Sequence, residues 1–206
     1  MQLIAENLIL SRASRVIVAD LSFRLQDGEA LVLTGRNGSG KTTLLRALAG
    51  FLGPTAGSVR AEGGAEEREP GECAHFVGHL DGLKAHLTVG ENLRFWAEYL
   101  GDDAREGRIV AALEQFALVP LADIPAGYLS AGQRRRLALA RIIAAPRPLW
   151  LLDRPTVSLD TASIALLQDA IKAHLAGGGL AVIATHVAMG LDGAKELRLG
   201  NVEEAA

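Results

Sequence analysis

The sequence of 206 residues contains one cysteine, few aromatic residues and no long run of apolar residues. The single Cys73 excludes an internal disulfide framework and is typical of a protein in a reducing cytosol. No apolar stretch approaches the roughly 20 residues that a membrane-spanning helix needs, so we expect no direct insertion into a membrane. The first residues, Met1 to Glu6, lack the basic start and apolar run of a signal peptide.

The chain also lacks an excess of basic residues, because 21 Lys and Arg residues stand against 24 Asp and Glu residues, for a net charge of −3. This balance gives no general attraction to nucleic acid. The basic stretch Arg134 to Arg136 has no interleaved aromatic residues, so it predicts a solvated or interfacial helix face. We therefore expect no nucleic-acid partner, and the chain length predicts a single domain over residues 1–206.

What the sequence does contain is a complete phosphate-binding loop of the pattern G-x-x-x-x-G-K-[ST]. A buried strand is predicted at 30–33 before the loop, and leucines at helical spacing follow it up to Gly50. The glycines let successive backbone N–H groups turn toward an anion, and the helix start adds its positive end. The predicted nucleotide-binding residues of this loop are Gly35, Asn37, Gly38, Ser39, Gly40, Lys41, Thr42 and Thr43.

Two side chains of this loop have distinct predicted roles. Lys41 is expected to reach the β- and γ-phosphates of the nucleotide. Thr42 is expected to ligate Mg²⁺, a hard cation that takes oxygen ligands. The sequence therefore predicts binding of a nucleotide together with Mg²⁺.

A second motif, Leu129 to Gln133, closely resembles the signature L-S-G-G-Q of ABC-type ATPases, with one glycine replaced by alanine. Ser130 and Gln133 also have the spacing of a helix capping box, so a capped helix start is an alternative interpretation. The resemblance implies an α/β fold with a RecA-like P-loop core, an antiparallel β subdomain and an inserted helical subdomain at about 85–145. It also implies that ATP is the nucleotide, and that Ser130, Gly132 and Gln133 contact the ATP held by a second copy in a head-to-tail homodimer.

Other motifs of the ABC family follow in order along the chain. The predicted buried strand 149–153 resembles Walker B, in which Asp153 holds Mg²⁺. Ser158 to Asp160 resembles the D-loop, although Asp160 also suits a helix N-cap. His186, after a second predicted buried strand at 180–184, matches the switch histidine that contacts the γ-phosphate. The resemblance thus assigns catalytic roles to Asp160 and His186.

The chain departs from the family at two site positions. Arg154 stands where the family has the glutamate that positions or deprotonates the attacking water, and an arginine has no acceptor atom. Arg154 either strengthens nucleotide binding by charge pairing or points away into an ion pair. Hydrolysis is expected to be slow, or to rest on His186 and the phosphate-binding residues, while ATP binding and dimerisation are kept. His79 lies where the family has a glutamine that touches Mg²⁺; a loop histidine with local packing is the alternative.

The adenine contact is a third departure from the ABC pattern. Family members place an aromatic residue against adenine, but the segment from Leu8 to Val18 contains none. Arg12 or Arg15 can stack a guanidinium group there instead, and a solvated surface arginine is the alternative for each.

Two further stretches, from Gly78 to Thr88 and from Glu91 to Trp96, resemble the haem-exporter ATP-binding subunits of bacterial cytochrome c maturation. This resemblance implies a peripheral protein on the cytoplasmic face of the inner membrane, with integral-membrane transporter subunits as partners. ATP-driven closure of the dimer would then power haem export or handling. A nucleotide-gated assembly subunit with weak or no hydrolysis, or an ATPase for another exported substrate, is the alternative.

Overall fold

The computed structural model describes residues 1–13, 15–63, 67–101 and 103–200. Its contacts divide the chain into two units. The first unit comprises Met1–Phe76, Pro148–Arg154 and the chain from Ala173 onward, and the second comprises Val77–Arg147 and Pro155–Lys172. None of the helices in these described ranges is long and apolar enough to cross a membrane.

An antiparallel sheet forms one part of the first unit, in the strand order β2-β1-β4-β5. Its strands are β1 (Gln2–Arg12), β2 (Arg15–Leu25), β4 (Ala56–Glu62) and β5 (Glu67–Arg68). The predicted antiparallel subdomain is confirmed by β1 and β2, which pair from Leu3 opposite Leu25 to Arg12 opposite Arg15. This register places Arg12 at the end of the sheet where the two strands are joined.

The second sheet has the order β6-β7-β8-β3-β9. Its strands are β3 (Ala30–Thr34), β6 (Ala74–Val77), β7 (Leu149–Asp153), β8 (Leu180–Ala184) and β9 (Lys195–Arg198). The pairs β7·β8, β8·β3 and β3·β9 are parallel. Every residue of β7 and β8 is buried, as their continuous apolar sequences predict. Parallel pairing brings the carboxyl ends of β3, β7 and β8 to one edge, where the phosphate-binding loop begins.

The helices are α1 (Lys41–Leu48), α2 (Pro70–Cys73), α3 (Val89–Tyr99), α4 (Glu106–Gln115), α5 (Ala131–Ala144) and α6 (Thr161–Ala176). In the second unit α3, α4 and α5 pack against one another. The capping box predicted at Ser130 is present at the start of α5, and a second capping box, at Thr88, begins α3. A parallel sheet, an antiparallel sheet and a group of helices confirm the predicted α/β class.

The core of the first unit lies between its sheets and α1. Helix α1 contacts β1, β7 and β8. Leucines of these elements are almost completely buried, and burying one such side chain stabilises the fold by about 1.5–3 kcal/mol. The fully buried leucines of this core are Leu3, Leu8, Leu10, Leu25, Leu33, Leu44, Leu45, Leu48, Leu149, Leu151 and Leu180. The loop that follows β3 is therefore attached to a rigid base.

A half-buried histidine lies at the opposite end of the parallel sheet from the phosphate-binding loop. The His174 ring stacks on Trp150, with centroids 3.8 Å apart, and its Nε2 lies 3.1 Å from the carbonyl oxygen of Leu180. Burial lowers the pKa of His174 below its usual value, and hydrogen bonds to the carbonyls of Leu180 and Pro148 offset part of that effect. Near pH 7 the folded protein therefore holds this imidazole in its neutral form.

This histidine should make the stability fall in mild acid. Its folded-state pKa lies below the unfolded-state value, so below about pH 6.5 the unfolded chain binds the proton first and the free energy of unfolding decreases. Replacing His174 by Phe keeps a flat ring on Trp150 and removes the titration. At pH 7.5 we expect this variant to lose about 1 kcal/mol, the hydrogen bond to Leu180.

Urea unfolding from pH 7.5 to 5 measures this effect. The His174→Phe variant should lose less stability across this range than the parent, whereas His86→Gln, at an exposed loop position, should follow the parent. Parallel pH profiles for the parent and His174→Phe would contradict the assignment.

Candidate functional site

The phosphate-binding loop joins β3 to α1 and requires glycine at two positions. Gly35 has a φ of +127°, and a Cβ there would lie 2.2 Å from the carbonyl oxygen of Leu199. Gly40 caps the start of α1 with a φ of +98°, and its Cβ would lie 2.9 Å from the side chain of Ile17. At either position a larger residue would strain the backbone and clash with the neighbouring atoms. The glycines therefore shape the loop, and they leave the first N–H groups of α1 directed into it.

Lys41 is folded into this loop. Only 5% of the residue is exposed, and its Nζ donates hydrogen bonds to the carbonyl oxygens of Gly35 at 2.6 Å and Arg36 at 2.9 Å. Burial lowers the pKa of Lys41, nearby Arg154 lowers it further and Asp153 opposes this. Lys41 is also the first residue of α1, and a cation at a helix start suits an anionic ligand.

Ser39 independently indicates that the loop is suited to an anionic ligand. Its Oγ is buried and has no hydrogen-bond partner among the described residues. A buried hydroxyl without a partner costs free energy unless a ligand satisfies it. The loop therefore has the donors and the cation that a phosphate group needs.

Asp153 and Thr42 meet beside the loop. Asp153 ends β7, is 2% exposed, and its Oδ2 accepts a hydrogen bond from Thr42 Oγ1 at 2.8 Å. Two hard oxygen atoms this close suit Mg²⁺, which completes its shell with water and phosphate oxygens. Across the described ranges, no group of three or more His, Cys, Asp or Glu side chains is placed to hold a metal ion. Thr42 and Asp153 would thus hold Mg²⁺ together with the nucleotide, whose charge it would help to neutralise.

Arg154 contacts the loop rather than pointing away from it. Its backbone N–H donates to the carbonyl oxygen of Ala184 at 2.8 Å, and its Nη2 donates to Oδ1 of Asn37 at 2.5 Å. The backbone of Arg154 adopts a left-handed φ of +49°, which is uncommon for a residue other than glycine. The guanidinium of Arg154 therefore lies beside the phosphate-binding loop in this structure.

His186 follows β8 and Thr185 and is exposed. Ala184 at the end of β8 is in register with Leu33 on one side and Asp153 on the other. His186 therefore leaves the sheet at the edge from which Gly35 and Asp153 also emerge. The first unit thus brings together residues 35–43, Asp153, Arg154 and the segment leading to His186.

The second unit carries the signature residues at the start of α5. Ser130 Oγ accepts from the Gln133 N–H at 3.3 Å, and Gln133 Oε1 accepts from the Ser130 N–H at 2.8 Å. A Cβ on Gly132 would lie 2.9 Å from the carbonyl oxygen of Ser158, so the segment before α6 packs directly on this helix start. The capping interpretation is confirmed, and it leaves the exposed Ser130 side of the helix start accessible.

Asp160 and His79 also lie in the second unit. Asp160 Oδ1 accepts from the Ser163 N–H at 2.7 Å, as expected of an N-cap, and hydrogen bonds from Ser163 are the main reason its pKa is lowered. His79 is exposed in the loop before α3, beside an exposed Leu80. These placements leave the side chain of His79 open to solvent and hold Asp160 at the start of α6.

The expectation of a solvated or interfacial face for the arginine run was wrong for Arg135. Arg135 is only 3% exposed and donates to the carbonyl oxygens of Gly78 at 2.7 Å and Pro155 at 3.2 Å, with Asp81 3.3 Å away. These acceptors offset the cost of burying the guanidinium. Arg135 thus ties α5 to the loop containing His79 and to the segment before Asp160. Its role was missed because three consecutive arginines look alike in sequence.

Comparison with known proteins places this geometry in a family. The model of the ABC transporter family matches residues 18–157. A cytochrome c biogenesis ATP-binding export protein CcmA of Agrobacterium fabrum is 50% identical over 97% of this chain and 95% of its own length. CcmA of Rhodospirillum rubrum is 52% identical over 94% of this chain and 84% of its own length. CcmA of Bradyrhizobium diazoefficiens is 47% identical over 98% of this chain and 100% of its own length.

Solved structures agree with the fold. A putative ABC transporter ATP-binding protein from Pyrococcus furiosus has a TM-score of 0.84 at 23% identity and covers 97% of this chain and 98% of its own. The family match over more than half of the chain and the relatives about half identical over nearly its whole length show that this chain belongs to the ABC transporter family of ATP-binding proteins.

Proposed function

We propose that this chain is the ATP-binding subunit of an ABC export system that acts in cytochrome c biogenesis. The observation that carries the proposal is the convergence of Lys41, Thr42 and Asp153 on the phosphate-binding loop. The names of the relatives supply the biological process, and the extent of the match supports carrying it over. The resemblance to haem-exporter ATPases suggests haem handling as the work that ATP drives.

In this proposal two copies of the chain close on two ATP molecules. Ser130, Gly132 and Gln133 of one copy meet the γ-phosphate held by the loop of the other copy, and Asp160 lies at the same interface. His186 hydrogen-bonds the γ-phosphate, and His79 contacts the nucleotide site through water. Integral-membrane subunits supply the export route, and the chain sits on the cytoplasmic face of the inner membrane.

Within this proposal, the site favours a subunit that is gated by ATP binding and hydrolyses ATP slowly. Arg154 occupies the position of the expected base and donates to Asn37. Two cations, Lys41 and Arg154, therefore lie at the loop, and residue 154 supplies no carboxylate. Two cations favour a bound polyanion, whereas neither activates water at neutral pH. ATP binding and closure would then carry the function, and hydrolysis would reset it.

Deleting the gene in its bacterial host tests the biological assignment. We expect c-type cytochromes carrying covalent haem to disappear while b-type cytochromes persist. Expression of the parent chain should restore them, and expression of Lys41→Ala should not. Normal levels of c-type cytochromes in the deletion strain would refute the proposal.

Replacing Asp153 by Asn tests the metal site separately. The amide can still accept the hydrogen bond from Thr42 but offers Mg²⁺ a weaker ligand, so the gain in ATP affinity on adding Mg²⁺ should shrink about 10-fold or more. Calorimetric titration with ATP in Mg²⁺ and in EDTA measures this gain. Asp169→Asn, at an exposed position of α6, should retain the full gain. An unchanged gain in Asp153→Asn would place the metal elsewhere.

A further inference from the structure

The chain leaves β8 through a short turn that carries His186. Thr185 is the first residue after the strand and is only 3% exposed, whereas residues 186–188 are exposed. Burial resumes at Met189, which is 4% exposed. A buried residue on each side therefore anchors the exposed segment that contains His186.

The side chain of Thr185 closes this turn. Its Oγ1 accepts a hydrogen bond from the Val187 N–H at 3.0 Å and donates one to the Val187 carbonyl oxygen at 3.2 Å. Bonds from a threonine hydroxyl to the backbone two residues later stabilise a compact turn. His186 is the residue between the two, so the threonine before it restrains the direction of its backbone.

The start of the turn is fixed beside the phosphate-binding loop. Ala184, the last residue of β8, is in register with Leu33 of β3 and with Asp153 of β7. Its carbonyl oxygen accepts a hydrogen bond from the Arg154 N–H at 2.8 Å. Both neighbouring strands carry site residues directly after this level of the sheet. The turn therefore begins from a point that is tied to the elements of the site on either side.

We propose that Thr185 is a positioning residue that directs the imidazole of His186 toward the γ-phosphate of the nucleotide bound in the loop. The inference rests on the proposed function, in which His186 hydrogen-bonds the γ-phosphate. The hydroxyl of Thr185 is engaged by Val187, and in this assignment it does not contact the nucleotide. Its contribution is to order the turn in advance, so that nucleotide binding does not have to order it.

The ordering that the threonine supplies sets the expected size of the effect. Fixing the backbone of one residue lowers an equilibrium constant by roughly 5- to 30-fold at 25 °C. Without the hydroxyl this ordering has to occur when the nucleotide binds. The loss should be confined to nucleotides with a γ-phosphate, because ADP has no group for His186 to contact.

Calorimetric titration of the full chain with the β,γ-imido analogue of ATP and with ADP, both with Mg²⁺, tests the proposal. Thr185→Val keeps the shape of the buried side chain and removes the hydroxyl. It should bind the ATP analogue roughly 5- to 30-fold more weakly than the parent, with ADP affinity within about twofold. Thr185→Ser keeps the hydroxyl and should bind both nucleotides like the parent. Thr55→Val, the same change at an exposed position before β4, should also match the parent.

Variants at His186 separate positioning from a merely structural role. His186→Ala should weaken binding of the ATP analogue at least as much as Thr185→Val does. Adding Thr185→Val to His186→Ala should change the affinity by less than about twofold, because no imidazole remains to be positioned. A structural role would lower the melting temperature without this dependence on His186 or on the γ-phosphate.

Four results would overturn the inference and leave nucleotide binding at the loop intact. They are unchanged affinity of Thr185→Val for the ATP analogue, an equal loss for ADP, additive losses in the double variant, and a serine variant as weak as the valine variant. If His186→Ala binds the analogue like the parent, the role of His186 fails together with this inference. Failure of the parent to bind either nucleotide would instead overturn the proposed function.

The valine variant should remain folded. Val187 is 44% exposed, so water can bond the backbone groups that the hydroxyl of Thr185 releases. Melting temperatures of the variants check this. If Thr185→Val melts below the assay temperature, Thr185→Ala removes the same hydroxyl and carries the same expected results.

Discussion

Replacing Arg154 by glutamate should raise the rate of ATP hydrolysis by about 100-fold or more, the range that a positioned general base contributes. Arg154 follows Asp153 at the sheet edge and donates to Asn37 in the phosphate-binding loop. A carboxylate in this place can accept a proton from water or orient it, whereas a guanidinium group can do neither. Steady-state phosphate release by the complex with its membrane partners measures the change.

The variant Arg154→Gln separates the two effects of this substitution. Glutamine removes the positive charge without supplying a base, so its rate should stay near that of the parent, while its affinity for ATP should fall because a cation is lost. If Arg154→Glu is no faster than Arg154→Gln, a group other than residue 154 positions the water. His186, which leaves the same sheet edge, would then be the residue to replace next.

Replacing Lys41 by alanine should weaken ATP binding by about 100-fold or more. A hydrogen bond from a charged group at a partly buried site contributes about 1.5–3 kcal/mol to the binding free energy. The ammonium group is buried in the loop, beside the carbonyl oxygens of Gly35 and Arg36. Alanine leaves those carbonyls in place and removes the cation that would reach the phosphates. Calorimetric titration with ATP in excess Mg²⁺ measures the loss.

Lys195→Ala is the matched control for this charge change. Lys195 begins β9 opposite Leu31, toward the end of β3 away from the loop, and its Nζ pairs with Glu29. Its loss should leave ATP affinity within about twofold of the parent, as expected for an exposed site. Equal affinities in Lys41→Ala and Lys195→Ala would show that the nucleotide does not bind at this loop.

Several elements of the two units could be predicted from sequence because their signals are local. The continuous apolar sequences of β7 and β8 indicate strands buried on both faces, and the S-x-x-Q spacing at Ser130 indicates a helix start. Gly35 and Gly40 follow from the loop motif, and the structure shows the backbone geometry that requires them. In each case the residues that decide the structure are neighbours in sequence.

The remaining features depend on residues far apart in the chain. Arg135 is buried because Gly78 and Pro155 supply carbonyl oxygens, and nothing near Arg135 in sequence shows this. Arg154 and Asn37 are 117 positions apart, so the sequence alone did not show where the Arg154 side chain points. A small cavity beside Thr43 is likewise lined by residues from the end of β1, from α1 and from the segment after α1. Burial and charge pairing at these places are properties of the assembled fold.

Identification of the nucleotide retained by the parent chain tests the central claim most directly. The complex is incubated with Mg²⁺ and ATP for several minutes, free nucleotide is removed, and the bound nucleotide is extracted and separated by chromatography. A site with Lys41, Thr42 and Asp153 in place, and with Arg154 instead of a base, should retain mainly ATP, whereas Arg154→Glu should retain mainly ADP. Retention of ADP by the parent would contradict slow hydrolysis, and retention of no nucleotide would contradict the site itself.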